Sequence, residues 1–363
     1  MNGELAMTRQ IPAARGALHG SAHRAALIRR SAAVALLAGA LGCGTASPPP
    51  PGWLARLAAA PRLASGHAWS PAPDRIEHLL ETAAIEPLEQ RRTAAGATGA
   101  ERVTAWVPLL GRTLDLKWKR APSRDLDGID NSPRKEIAAY QVQRWFLDPE
   151  DYVVPPTAGR CVPLAVERRI HPDAQPNLPG VRCVFGVYAL WLSDVRTADR
   201  LYDPERFYRE ASYARRLADY NLFTYLIDDR DTRTANVLVS TDPAERRVYA
   251  IDNGVAFDPR FYNVFADGWR RIRVPALPRE TIARLRRVTR AQVDHLAVVA
   301  EFTRDRDGVL RAVRPGPPLD AERAVYFRNG VLQLGLDRRE REGVWDRIQD
   351  LLRRVDAGAL PVF

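Results

Sequence analysis

Residues 222–258, LFTYLIDDRDTRTANVLVSTDPAERRVYAIDNGVAFD, constrain this chain more than any other stretch. Asp231 follows Arg230, and Asn236 comes five residues after it. An apolar run Val237-Leu238-Val239, a polar turn, a second apolar run ending at Ala250-Ile251 and the triplet Asp252-Asn253-Gly254 complete the set. Two short apolar runs about a polar turn predict a β-hairpin, which holds the loop before it and the loop after it on one support. A site that moves a phosphoryl group needs one carboxylate to orient and deprotonate the acceptor hydroxyl. It also needs an amide and a second carboxylate to hold a divalent metal against nucleotide phosphates. Asp231 is the expected base, Asn236 and Asp252 the expected metal ligands. Arg233 is a cation placed to neutralise the transferred group, and Gly254 is expected to supply backbone angles that other residues avoid. Asp and Asn are common turn residues in any case, so the reading depends on what the rest of the chain offers this hairpin.

What it offers is lysine. Of 54 basic residues only Lys117, Lys119 and Lys135 are lysine, all within 19 positions. A chain that otherwise uses arginine keeps lysine where a compact, flexible ammonium is wanted. Arg112–Arg120, RTLDLKWKR, alternates Leu114, Leu116 and Trp118 with Asp115, Lys117 and Lys119, the period of a strand with one charged face. One of the two lysines is expected to reach nucleotide phosphates, and the residues do not say which. Before that strand, Gly96-Ala97-Thr98-Gly99-Ala100 leads into a further strand at 103–107; two glycines by themselves suit an ordinary loop. After it, residues 134–147 predict a helix with Ala138, Ala139, Val142, Trp145 and Phe146 on one side and Glu136 in the first turn. Glu136 is placed to pair with and orient the phosphate lysine.

The flanking segments are read in the same way. Residues 73–89 predict an amphipathic helix backing the sheet. Residues 181–195 predict a central strand. One helix is expected from Pro204 to Ile227, delivering the chain to the Asp231 loop, and the basic segment beyond Asp258 reads as helical.

LIDDRDTRTANVLV followed by IDNG resembles the atypical branch of the protein-kinase-like fold that includes phosphoinositide kinases, HipA-type kinases and the secretory casein kinases, with DNG in place of DFG. EIAAYQVQRWF followed by VVPPTAGR is similar to the secretory casein kinase pattern, and Trp118-Lys119 resembles its F-K-P, which favours Lys119. A second register, with Asp229-Arg230-Asp231 matching D-R-H, would make Asp229 the base; only Asp231 keeps the five-residue spacing to Asn236. The resemblance implies an α+β, two-lobed protein-kinase-like fold, with an antiparallel-sheet N-lobe at 73–192 and a mainly helical C-lobe at 193–363. It implies that the strand at 181–195 runs into a hinge, with a nucleobase edge bonded by backbone groups near Trp191 to Ser193, and it makes Gly96 and Gly99 candidates for a turn whose backbone N–H groups face an anion. It also implies ATP with Mg²⁺ or Mn²⁺ and transfer of the γ-phosphoryl to a hydroxyl. The acceptor stays open, a protein among the possibilities. The alternatives are a nucleotide-binding pseudokinase lipoprotein acting as a scaffold, and a protein AMPylase.

Residues 24–43 carry a positive flank, a short apolar run and Leu41-Gly42-Cys43, the pattern of a lipoprotein-type export signal over 1–43. Cys43 is then the site of a lipid anchor to a membrane, and the Pro-rich segment 44–72 is a linker. Cys161 and Cys183 remain as a pair, either bonded or as two buried thiols. Export and ATP use pull against each other, because a bacterial periplasm holds little ATP; if the signal is not used the protein is cytoplasmic. The net charge of +10 falls to +6 once the five Arg and one Glu of residues 1–52 are set aside, too mild a balance for nucleic acid.

Overall fold

The computed structural model describes residues 49–60, 69, 72–93, 99–122, 126, 132–198, 200–232, 234–242, 247–257 and 268–363. The export signal with Cys43, Gly96 and Arg233 lie outside them. In chain order the elements are α1 (Trp53–Ala59), α2 (Pro73–Thr82), β1 (Glu86–Arg92), β2 (Glu101–Val107), β3 (Arg112–Arg120), α3 (Pro133–Gln143), β4 (Thr157–Pro163), α4 (Leu164–Glu167), β5 (Cys183–Leu190), β6 (Val195–Thr197), α5 (Pro204–Arg209) and α6 (Ala211–Leu226). There follow β7 (Val237–Ser240), β8 (Val248–Ala250), α7 (Arg279–Leu285), α8 (Arg290–Asp294), β9 (Ala300–Arg304), β10 (Leu310–Val313), β11 (Val325–Arg328), β12 (Val331–Leu334) and α9 (Arg338–Asp356). The architecture is mixed α/β with antiparallel sheets.

The first sheet has the order β1-β2-β3-β5-β4. Strand alternation sends Val103, Ala105, Leu116 and Trp118 to one face, where they bury against Ile76, Leu79 and Leu80 of α2. Arg102, Thr104, Asp115, Lys117 and Lys119 therefore stand on the other face. At Gly186 of β5 a Cβ would lie 2.5 Å from the Lys119 carbonyl oxygen and 2.7 Å from the Trp118 ring, so glycine lets β5 pair closely beside the lysine strand. Cys161 and Cys183 are disulfide-bonded across β4 and β5, which decides between the two states open in the sequence.

Helix α2 stops at Thr82 instead of running to Glu89, and Glu86–Arg92 is an edge strand. Pro87 explains the change: inside a helix it removes a backbone hydrogen bond, whereas an edge strand tolerates it. The helix expected from Pro204 to Ile227 is broken at Glu210, which is extended at φ −107°, ψ 100°. The Asp203 side chain caps α5 by accepting from the Glu205 and Arg206 N–H groups, and Arg206 pairs with the Glu210 carboxylate at 3.1 Å. The linker 44–72 is also not wholly a linker. Its residues Trp53–Ala59 form α1, with Leu57 fully buried and Trp53 packed edge-on to Tyr208 at 4.9 Å.

The largest correction concerns residues 300–334. They form a second antiparallel sheet, ordered β10-β9-β12-β11, in a segment expected to be helical. Asp305 accepts backbone bonds from Asp307 and Val309 to close one hairpin. Asn329-Gly330, both with positive φ, closes the other. This sheet packs on the first through Phe302 and Phe185, ring centroids 5.1 Å apart, in a core that includes Leu332 and Leu334.

Helix α3 lies where these cores meet, Ile137 in the inter-sheet cluster and Ala138 to Val142 in the helical one. Ten of its eleven residues are buried, all but Gln141. Arg134, fully buried, makes a bidentate pair with Glu340 of α9 at 2.6 and 3.1 Å and donates to the Gly335 carbonyl. A buried pair of this geometry contributes little net stability but is strongly disfavoured when broken. It therefore fixes the start of α3, and with it Glu136.

Candidate functional site

Three segments far apart in sequence meet at one point. Lys119, 4% exposed, donates from Nζ to Glu136 Oε1 at 2.9 Å and to Asp252 Oδ1, a partner 133 residues away. Lys117 stands beside it, its Nζ 3.7 Å from Glu136 Oε1 and 3.6 Å from Asp252 Oδ1. Both lysines thus reach the same two carboxylates. Lys135, the third, is buried instead beside Glu340 at 3.9 Å. Burial works against the Lys119 charge, but Glu136 and Asp252 outweigh it and hold the ammonium above its ordinary range. For Asp252 burial likewise favours the neutral form, and Lys117 and Lys119 overcome it, so its carboxyl stays well below the usual carboxylate range.

The Asp252 turn is held from both sides. Asn253 N–H donates to Glu136 Oε2 at 3.2 Å, and Ser132 N–H to the Gly254 carbonyl at 3.3 Å. Glu136 therefore uses one oxygen on Lys119 and the other on the turn. The left-handed backbone expected at Gly254 belongs to Asp252 itself, at φ 62° and ψ 52°. Asp adopts that conformation more readily than most residues, and here it turns the carboxylate back toward β3.

The second loop follows α6, twelve of whose sixteen residues are buried. Asp229, 4% exposed, accepts from Asp231 N–H at 3.0 Å. Burial pushes its carboxyl up to about 7; the Asp231 N–H opposes this, and the Asp231, Asp252 and Asp228 charges add to it. Asp231 is half-buried. The Asn236 amide donates to the Asp231 carbonyl at 2.9 Å and to its Oδ2 at 3.0 Å, so the five-residue spacing closes on itself. With Nδ2 anchored in this way, the amide oxygen of Asn236 is left as its metal-capable atom. The Asn236 carbonyl accepts from Ile251 N–H at 3.1 Å, in line with the β7–β8 pairing of Val237 with Ala250. This places Asn236 next to the residue that precedes Asp252.

Other expected features are modified. Gly99 has φ 72°, and among the described residues no atom lies within 4 Å of an added Cβ. The Trp191 N–H, expected to face a base edge, donates to the Asp115 carbonyl at 2.9 Å and is spent there. A polar network not read from the sequence occupies that end of the charged face of the sheet. Arg102 bonds Asp115 at 2.5 Å and lies over the Trp191 ring at 5.3 Å, while Thr104 donates to Asp115 at 2.6 Å. Its signal in the sequence was the apolar–polar alternation of β2 and β3, which puts Arg102, Thr104 and Asp115 on one face.

Asp252 and Asn236 are hard oxygen donors of the kind Mg²⁺ and Mn²⁺ take, and two suffice when phosphate oxygens and water complete the shell. Among the described residues no group of three His, Cys, Asp or Glu side chains is spaced to hold a metal, and no helix is long and apolar enough to cross a membrane.

No family model matches the sequence, and no curated protein matches it. Among solved structures the chain is similar to that of hydra Fam20 with sugar, at 14% sequence identity and a TM-score of 0.46, over 78% of this chain and 88% of that one.

Proposed function

We propose that this protein is a kinase-like phosphotransferase that moves the γ-phosphoryl of ATP to a hydroxyl on an acceptor, and that a nucleotide cleft between two lobes is part of this reading. The observation that carries this reading is the convergence of Lys119, Glu136 and Asp252 on one buried point, beside a loop in which Asn236 is bonded to Asp231. Lys119, held by Glu136, binds phosphate oxygens. Asp231 accepts the proton of the acceptor hydroxyl. It is preferred to Asp229 because a base must reach an acceptor from the cleft, and Asp229 is sealed beneath it with one oxygen on the Asp231 N–H. Asn236 and Asp252 hold Mg²⁺ or Mn²⁺, which when bound supplies charge neutralisation for the phosphates. Arg233 is the further cation proposed for the transferred group, and Gly96 and Gly99 the backbone turn over the phosphates.

The Cys161–Cys183 disulfide supports export, since such bonds persist in oxidising compartments. Export is therefore the proposed location, with a lipid anchor at Cys43 proposed from the signal pattern alone, and ATP must then reach the protein outside the cytoplasm.

The test is Asp252→Ala with purified protein, ATP and Mg²⁺ or Mn²⁺. The variant is expected to lose all ATP turnover while its circular dichroism stays that of the wild type; retained turnover removes the metal-ligand role. Mass analysis of a modified acceptor separates a gain of phosphate from a gain of AMP, and the second result would replace phosphotransfer with nucleotidyl transfer.

A further inference from the structure

Lys117 is the charged group that this assignment leaves without a task. Alternate residues of a strand share a face, so Lys117 and Lys119 stand over the same carboxylates. Their Nζ atoms repel, and they stay together only because Glu136 and Asp252 lie within reach of both. The Lys117 side chain is 19% exposed and that of Lys119 5%, so Lys117 is on the solvent side of the cluster. Two ammonium groups and two carboxylates cancel. With one lysine the same carboxylates would carry net negative charge and repel a phosphate chain. Arg102, directly across from Lys117 on β2, is bonded to Asp115 and so does not compete for Glu136 or Asp252.

We propose that Lys117 is a second phosphate-binding lysine, so that the site recognises a nucleoside di- or triphosphate chiefly through its phosphate chain. This rests on the nucleotide-cleft reading above. Lys119, tied to Glu136 at 2.9 Å, keeps its place. Lys117 holds its carboxylates only at 3.6 and 3.7 Å and is the ammonium free to turn to phosphate oxygens when Asp252 is engaged elsewhere.

Isothermal titration of the full chain tests this with adenosine, AMP, ADP and ATP, each in EDTA and in Mg²⁺, for the wild type, Lys117→Met and Lys117→Arg. Wild-type affinity is expected to climb with phosphate number even in EDTA. Lys117→Met keeps the aliphatic stem and is expected to lose about tenfold or more for ADP and ATP, the size of a hydrogen bond between charged groups, with AMP little changed. Lys117→Arg is expected to recover most of the loss. If the wild type binds ADP and ATP and Lys117→Met binds them equally well, the second-lysine assignment is overturned while the nucleotide cleft stands. An equal loss for AMP and ATP, or no rescue by Arg, also overturns it, because the side chain would then be shaping the fold. A wild type that binds no nucleotide in either medium removes the cleft reading and this inference together.

Discussion

Glu136→Gln keeps the shape of the side chain and removes its charge. In the native protein Glu136 gives one oxygen to Lys119 and the other to Asn253 N–H. An amide can accept at only one of these places, so one bond is lost and a buried ammonium loses half of its compensation. Breaking a buried ion pair outright costs about 3–5 kcal/mol, but Asp252 still faces Lys119. The expected loss is therefore nearer that of a single charged hydrogen bond, about 2–3 kcal/mol. Urea unfolding at neutral pH should show it as a lower midpoint at unchanged slope. Lys119→Met combined with Glu136→Gln leaves Lys117 and Asp252 as a neutral pair and should return to within about 1 kcal/mol of wild type, since replacing both partners of a buried pair is often near neutral. Wild-type stability for Glu136→Gln alone, or a double variant that loses the sum of the two single losses, would refute the claim that these charges are buried together.

Two further expectations follow from stability. Replacing Cys161 and Cys183 together by Ser opens a cross-link spanning 22 residues and should cost about 3 kcal/mol in the chain-entropy account, measured by urea unfolding against the oxidised wild type. Asp219 is fully buried, and burial, aided by Asp151, pushes its carboxyl up to about 7 from 3.8. A raised acid pKa means that the unfolded chain releases this proton first. The contribution of Asp219 to stability is therefore complete below about pH 4 and is lost as pH rises toward 7. Asp219→Asn, which still accepts from Thr281, should gain on the wild type as pH rises through that window, by at most about 4 kcal/mol above pH 7; a gap between the two proteins that does not change with pH contradicts the buried acid.

By itself the sequence determined the local parts of the site. The step from Asp231 to Asn236, the hairpin behind it, the charged face of Arg112–Arg120 and Glu136 in the first turn of its helix are set by spacing over a few residues, where strand and helix periods decide which side chains share a face. Tertiary structure decided the rest, because these contacts join residues 17 and 133 positions apart and depend on how buried surfaces fit. It brought both lysines to one pair of carboxylates, gave the left-handed turn to Asp252 and not Gly254, and spent the Trp191 N–H on Asp115. It also made one sheet of residues 300–334: Asn329-Gly330 marks a hairpin locally, but the short apolar runs suit a helix or a strand until a partner surface is present. That surface is the Phe185 face of the first sheet, and nothing in the local pattern of 300–334 announces it.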